Sequence, residues 1–322
     1  MKILITGADG FIGRALVARL LSDTSSLGLG GPKRHLVLLD RQFAADVGGG
    51  ADSAATVERI SGDLADRDVM AAAIGDGVEY AFHLASIPGG AAESDFQLGL
   101  RVNLDGTLGL LELLRRQRQA AKVVFASTIG VYGAPLPANI DERTNTSPSM
   151  SYGAHKLIGE ILVSDYSRRQ FIDGRTVRLP GIVARPPQSS GMLSAFMSNL
   201  IRDLSVGREF TCPVSAEGMC WWMSRTRVVD NILHAAGLNI APAELRRVWL
   251  LPVLHASIGE VVQAIGRVYG TDVRGKVTYK PNAALQAQFA NLPPLSCPES
   301  EAVGFRHDGT LDHLVQRALD GP

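Results

Sequence analysis

MKILITGADGFIG, residues 1–13, is a short apolar strand that breaks on glycine and runs into a helix. The strand is residues 2–6. After Gly10, the apolar residues Phe11, Ile12, Leu16, Val17 and Leu20 recur at helical spacing. Gly7, Gly10 and Gly13 lie at and just beyond the turn. One glycine permits the tight turn, another lets the backbone approach a pyrophosphate, and the last lets helix and strand pack closely. The helix start also presents free N–H groups that suit a phosphate. With a strand before and a helix after, Gly7, Gly10, Phe11, Ile12 and Gly13 read as a dinucleotide-binding turn. The bland alternative is a glycine-rich turn in an unrelated α/β protein.

Moving outward, His35 to Asp40 is a second apolar run ending on a carboxylate. Ala44 to Ala55, with Gly48-Gly49-Gly50, reads as a flexible surface loop. Further strands are expected at 57–60, 78–84, 121–126 and 175–184, and helices at Thr107–Arg118 and Tyr152–Arg169. Between 185 and 227 the pattern turns to Pro, Ser, Met and aromatics. Val228–Ala236 and Ile258–Val268 return to helical spacing, with Trp249–Val253 a strand candidate. Strands alternating with helices predict parallel strands joined by helical crossovers. The expected fold is therefore α/β: a Rossmann-type doubly wound parallel sheet over residues 1–180, to which elements around 226–255 return. Residues 181–322 are expected to form mainly a smaller, interleaved C-terminal substrate lobe.

The carboxyl ends of such strands face the ligand crevice. Asp40 can accept both ribose hydroxyls of an adenosine and would repel a 2′-phosphate, which favours NAD over NADP; Arg41 beside it pulls the other way. Asp63 can accept from an adenine amino group with Leu64 on the ring, or it can cap the next helix alongside Asp66 and Asp68. Leu84, Ala85 and Ser86 end a strand; small residues there let the backbone at Leu84 and Ala85 pass close to the cofactor, and Ser86 points a hydroxyl toward the crevice.

Tyr152 and Lys156 are four residues apart, so they share one helical face. A free phenol titrates near 10. A neighbouring ammonium is expected to lower that value, making Tyr152 a base that removes a hydroxyl proton. Lys156 can also hold a nicotinamide ribose. Ser127 or Thr128 can donate to the substrate oxygen; strand alternation alone does not choose between them. A surface Tyr/Lys pair is the plain alternative, and the cofactor turn upstream argues against it. His155 points away from the Tyr152–Lys156 face and reads as non-catalytic.

Lys plus Arg equals Asp plus Glu at 32 each, with no long run of one sign, so neither a nucleic-acid partner nor a polybasic membrane anchor is expected. No apolar stretch is long enough to suggest a span, and the first residues run straight into the glycine turn rather than into a cleavable-signal pattern. Cys212, Cys220 and Cys297 lack disulfide-like or CxxC spacing, which suits a reducing, cytoplasmic compartment and no metal.

Together these pieces resemble the extended branch of the short-chain dehydrogenase/reductase family. The likeness rests on Thr6 to Gly13, Asp63-Leu64, His83-Leu84-Ala85, Asn103, Ser127-Thr128 with Val131-Tyr132-Gly133, Tyr152 with Lys156, and Leu179-Pro180-Gly181. It covers most of the chain. It implies Thr128 as the catalytic hydroxyl beside Tyr152 and Lys156. It puts Ser127, Asn103, Pro180 and Ile182 at the cofactor, and implies a homodimer through the helices near 103–118 and 151–169.

The branch holds nucleotide-sugar epimerases and dehydratases as well as dehydrogenases. This chain departs from the nucleotide-sugar pattern in two places. Leu179-Pro180-Gly181-Ile182-Val183-Ala184-Arg185-Pro186 lacks the usual asparagine and Tyr-Gly, and Met219 to Arg225 (MCWWMSR) lacks the usual His-Val-x-Asp. Those stretches resemble a group of bacterial sugar-acid dehydrogenases. That likeness implies NAD-dependent oxidation of the C2 hydroxyl of a small, four-carbon sugar acid. Arg185 and Arg225 are the candidate carboxylate partners, with surface arginines the alternative. Ser86, Thr128 and Tyr152 would address the hydroxyls. Trp221 and Trp222 either floor the pocket or fill the lobe, and at least one is expected in the core. Two other readings stay open: a nucleotide-sugar 4-epimerase with tightly held NAD, and a non-enzymatic NAD sensor or scaffold. Ile129-Gly130 supply no acid after Thr128, which argues against a dehydratase.

Overall fold

The computed structural model describes residues 1–22, 33–44, 47–48, 55–185, 194–241, 244 and 246–319. Seven strands form one parallel sheet: β1 (Lys2–Thr6), β2 (Arg34–Asp40), β3 (Ala55–Ser61), β4 (Tyr80–His83), β5 (Lys122–Thr128), β6 (Asp173–Leu179) and, from late in the chain, Val248–Leu250. β1 is flanked by β2 on one side and β4 on the other. The strand order reverses there, which opens the crevice at the carboxyl ends where ligands of such sheets bind. Ile3, Leu4 and Ile5 are fully buried, as a central parallel strand covered on both faces requires.

Helices cover both faces: α1 (Phe11–Ser22), α2 (Arg67–Ile74), the short α3 (Gly89–Ser94) and α4 (Phe96–Leu100), α5 (Gly106–Leu114) and α6 (Ser151–Arg168). Arg101–Asp105 is a π-helical segment leading into α5. The helix expected at Thr107–Arg118 thus starts one residue earlier and stops at Leu114. After β6 the chain leaves the sheet at Pro180-Gly181, so the expected strand 175–184 is two. Its second half, β7 (Ile182–Val183), joins a small sheet in the order β11 (Leu254–Ser257), β9 (Met219–Ser224), β7. The lobe comprises α7 (Ala195–Ser205), β8 (Phe210–Cys212), β9 (Met219–Ser224), β11 (Leu254–Ser257), α9 (Ile258–Tyr269), β12 (Val277–Tyr279), α10 (Ala283–Phe289), α11 (Pro298–Ala302) and α12 (Leu311–Leu319). Between them, α8 (Arg225–Gly237) packs on α1, and β10 (Val248–Leu250) pairs with β6.

Trp221 and Trp222 are both core. Trp222 sits in the lobe interior with Leu200, Ile201 and Ile258. Trp221 packs with Val131, Tyr132 and Leu250 where lobe and sheet meet, and its indole N–H donates to Pro293 O at 2.7 Å. Much of the expected 44–55 loop lies outside the described residues, but Val47 is buried in the main core against β2. Among the described residues no helix is long and apolar enough to cross a membrane, and no group of three or more His, Cys, Asp or Glu can hold a metal ion.

Candidate active site

Gly7 has φ +71°, and a Cβ there would lie 2.7 Å from Ala85 N. Only glycine lets the turn after β1 press against the end of β4. A Cβ at Gly10 would meet only the Gly7 carbonyl within 4 Å, so the turn is open on its outer side, as a phosphate cradle must be. Asp40 ends β2 beside this turn. Burial pushes its carboxyl up, and hydrogen bonds from the Asp9 and Arg41 amides pull it back. Asp9 was not singled out in the sequence. Its N–H donates to Asp40 Oδ2 at 2.9 Å, its carboxylate accepts from Ala44 N at 3.3 Å, and Arg14 pairs with it at 2.9 Å. An acid inside a glycine turn was the available signal.

Asp63 pairs with Arg101 at 2.7 Å and accepts from Ala65 N; the cap of α2 is Asp66, not Asp63. Leu64 is buried against Gly106 at the start of α5. Asn103 is buried with both ends of its amide on one residue: Ile87 N donates to Oδ1 at 2.7 Å, and Nδ2 donates to Ile87 O at 3.0 Å. Its action is therefore through the segment that carries Ser86. His83 is held between Thr6 at 2.7 Å and Thr107 at 2.8 Å. The Thr107 hydroxyl donates to Asn103 O, so it accepts from His83 Nε2–H, and Nδ1 accepts from Thr6. Burial pushes His83 down to about 3, and it stays neutral.

The catalytic candidates meet at the carboxyl ends of β4 and β5. The Tyr152 hydroxyl, in the first turn of α6, is acted on by Ser86, Arg185 and Thr128, each of which favours its ionised form. Thr128 Oγ1 also accepts from Gly130 N at 3.0 Å, so it starts the next turn while facing Tyr152. The expected lowering of the phenol by Lys156 is corrected: burial raises the Tyr152 pKa, and Ser86, Arg185 and Thr128 offset part of that rise. Lys156 Nζ lies 5.9 Å from the Tyr152 ring centroid and 4.8 Å from that of Phe125. Burial pushes Lys156 itself down to about 7, against the pull of Glu160. The Ser127 side chain is engaged within the protein. On an extended strand, neighbours point to opposite faces, and the Ser127 hydroxyl donates to the buried Glu160 carboxylate. Glu160 pairs with Arg178 at 2.7 Å, and Arg178 reaches the Tyr132 hydroxyl at 3.0 Å. This group was missed in the sequence, although Glu160 repeats the four-residue step from Lys156.

Arg185 and Arg225 converge on Phe11, their guanidinium carbons 5.2 and 5.4 Å from its ring centroid. Both candidate arginines thus stand at the start of α1, and Arg185 also faces Tyr152. Arg202 fixes the approach by donating to Arg185 O at 2.7 Å and Ala184 O at 2.9 Å. Pro180 and Ile182 are buried at the crossover, and Ile182 packs in the same core that Phe11 and Ile12 border. His155 faces Phe96 at 6.2 Å between ring centroids rather than the hydroxyl cluster.

An open glycine cradle, a carboxylate at the end of β2, and a phenol and a buried lysine four residues apart on α6 define a nicotinamide-dependent oxidoreductase of the Rossmann type. The chain belongs to the NAD dependent epimerase/dehydratase family, whose model matches residues 3–223; its cofactor is NAD. It is 37% identical to the D-erythronate dehydrogenase of Cupriavidus necator, over 99% of this chain and 98% of that protein. It is 28% identical to the D-erythronate dehydrogenase of Haemophilus influenzae, over 99% of each. The crystal structure of a nucleoside-diphosphate-sugar epimerase from Agrobacterium tumefaciens superposes with a TM-score of 0.87 at 34% identity, covering 98% of this chain and 92% of that one.

Proposed function

We propose that this protein oxidises D-erythronate at C2 to 2-dehydro-D-erythronate. The observation that carries the reading is the convergence of Arg185 and Arg225 on Phe11 at the start of α1, with Arg185 also acting on the Tyr152 hydroxyl, supported by the full-length likeness to two D-erythronate dehydrogenases. The cofactor would be held by the Gly7–Gly13 turn, Asp40 on the ribose, and Lys156 at the nicotinamide end. Bound NAD supplies the hydride acceptor. Thr128 and Ser86 hold the C2 oxygen. Tyr152 takes the hydroxyl proton as base, and the alkoxide charge that develops is met by the same two hydroxyls. Arg185 takes the substrate carboxylate as a forked pair, with Arg225 completing the clamp over Phe11.

The protein works as a homodimer through α5 and α6, in the cytoplasm. Phe96, Leu108, Ile158 and Ile161 are exposed apolar residues on α4, α5 and α6, a grouping that suits burial against a second copy. All three cysteines are buried and unpaired, which suits a reducing compartment. Replacing Ile161 with Glu should convert a dimer to a monomer in sedimentation equilibrium.

The test of activity is NADH release with a panel of C3 to C6 sugar acids, including the L and threo isomers of erythronate, beside UDP-sugars. Steady NADH with D-erythronate supports the dehydrogenase. Conversion of a nucleotide sugar with no net NADH would return the chain to the epimerase class of its structural relative.

A further inference from the structure

Arg185 and Arg225 carry like charges, and their guanidinium carbons stand 5.2 and 5.4 Å from one ring, that of Phe11. Like charges this close repel, so each side chain needs a firm base on the backbone. Arg185 lies just past β7, and Arg225 follows β9 and opens α8. The two strands pair, with Val183 opposite Ser224. A third segment, far along the chain, holds both. Asp308 is 2% exposed. Its carboxylate accepts from Ser224 N at 2.9 Å and from Ser224 Oγ at 2.5 Å. Ser224 Oγ in turn accepts from Arg227 N at 3.1 Å and caps α8. The last turn of α12 completes the seat: Arg317 O accepts from Thr226 Oγ1 at 3.3 Å, and Ala318 O accepts from Ala184 N at 3.4 Å. Carbonyls in the last turn of a helix have no partner within it, so they can hold a neighbouring segment. The residue before Arg185 and the residues on either side of Arg225 are thus all bonded to the stretch from Asp308 to Ala318.

We propose that Asp308 and the last turn of α12 form a positioning platform that sets the spacing of Arg185 and Arg225 for a substrate carboxylate. The inference rests on reading those two arginines as the acid clamp. A forked pair with a carboxylate is strict in direction, so a small shift of either backbone segment would spoil it. Asp308 acts through Ser224 on the backbone that launches Arg225, and Thr226 fixes the other side of the same residue. β7 and Ala184 carry the constraint across to Arg185. If these bonds served stability alone, losing one would leave the preference of the enzyme for an acid over its amide untouched.

The test measures KM and kcat of the whole enzyme for D-erythronate and for its primary amide, with NAD affinity and melting temperature alongside. Asp308→Asn keeps the shape and removes the charge that Ser224 meets. It should raise KM for the acid by about tenfold or more, the loss of a charged hydrogen bond, with a smaller change in kcat and none in NAD affinity or in KM for the amide. Thr226→Val also keeps the shape and leaves the buried carboxylate alone, so it decides the matter if the asparagine variant does not fold. It should raise KM for the acid by about two- to tenfold, the loss of one neutral hydrogen bond, and Thr226→Ser should restore the wild-type value. In an Arg225→Gln background Thr226→Val should add nothing, because the side chain it positions is gone. The same rise in both backgrounds, equal losses on acid and amide, or a lower melting temperature with KM unmoved would each overturn the inference. Arg185→Gln and Arg225→Gln enzymes that both prefer the acid over the amide as strongly as the wild type would instead overturn the reading on which it rests.

Discussion

Against the burial that pushes the Tyr152 phenol up, Arg185 sets a facing positive charge. Tyr152 opens α6 on the cofactor side of the sheet, while Arg185 lies just past β7, where the chain crosses into the lobe. The proposed base is thus faced by the segment that would also receive the substrate. A carboxylate on Arg185 would partly neutralise that charge, so binding an acid and tuning the phenol are coupled through one guanidinium.

Arg185→Gln should raise KM for the acid by roughly ten- to a hundredfold, the loss of a charged hydrogen bond worth about 1.5–3 kcal/mol. The amide of the same acid is the control, since it lacks the charge. If both compounds lose equally in the variant, the carboxylate does not sit on Arg185.

Tyr152→Phe should keep NAD affinity and the fold while kcat falls by about 10²–10⁴. Ser86 and Thr128 are only partly buried, so neither hydroxyl is left stranded. In the wild type the oxidation rate should climb as pH rises toward the raised phenol pKa, because the base form is the deprotonated one. A flat profile over that range, with turnover intact in the variant, would remove Tyr152 from the chemistry.

Asp40→Ala should lower the NAD-to-NADP ratio of kcat/KM by at least about tenfold, near 1.4 kcal/mol. Asp40 accepts from the Asp9 amide at 2.9 Å, and the Asp9 carboxylate stands beside it. Asp9→Asn in the same background should relax the preference further. An unchanged ratio in the double variant would mean that the phosphate is excluded by shape rather than charge.

The sheet was legible in the sequence because β1, β2, β4 and β5 carry continuous apolar runs and its glycine turn has a mechanical reason. Tyr152 and Lys156 were legible from spacing. The directions of Ser127 and Asn103 were not. Ser127 faces Glu160, a partner 33 residues away, and no local pattern records that pairing. Asn103 is turned onto Ile87 by the π-helical segment before α5. The lobe was the least legible part. Its strands β8 and β12 are three residues each and pair only with one another, too short for alternation to register. The break of the expected 175–184 strand hangs on Pro180-Gly181, where one strand ends and another joins a different sheet.

Gly159 sets how closely α6 lies on β5. A Cβ there would come 2.5 Å from Phe125 Cζ and 2.8 Å from Cε1, and Phe125 is wholly buried with Lys156 over its ring. Gly159→Ala removes a flexible helix residue, which by itself favours folding by roughly 0.5–1 kcal/mol. The ring has no free side to move to, so overpacking at about 1–3 kcal/mol should win. The denaturant midpoint should fall with its slope unchanged. The helix that carries Tyr152 and Lys156 would also lift from the strand that carries Thr128. A shift near 1 Å can cost about a hundredfold in rate, so kcat should drop more than NAD affinity. A variant as stable and as fast as the wild type would mean that Phe125 yields, and that the spacing of α6 on β5 is set elsewhere.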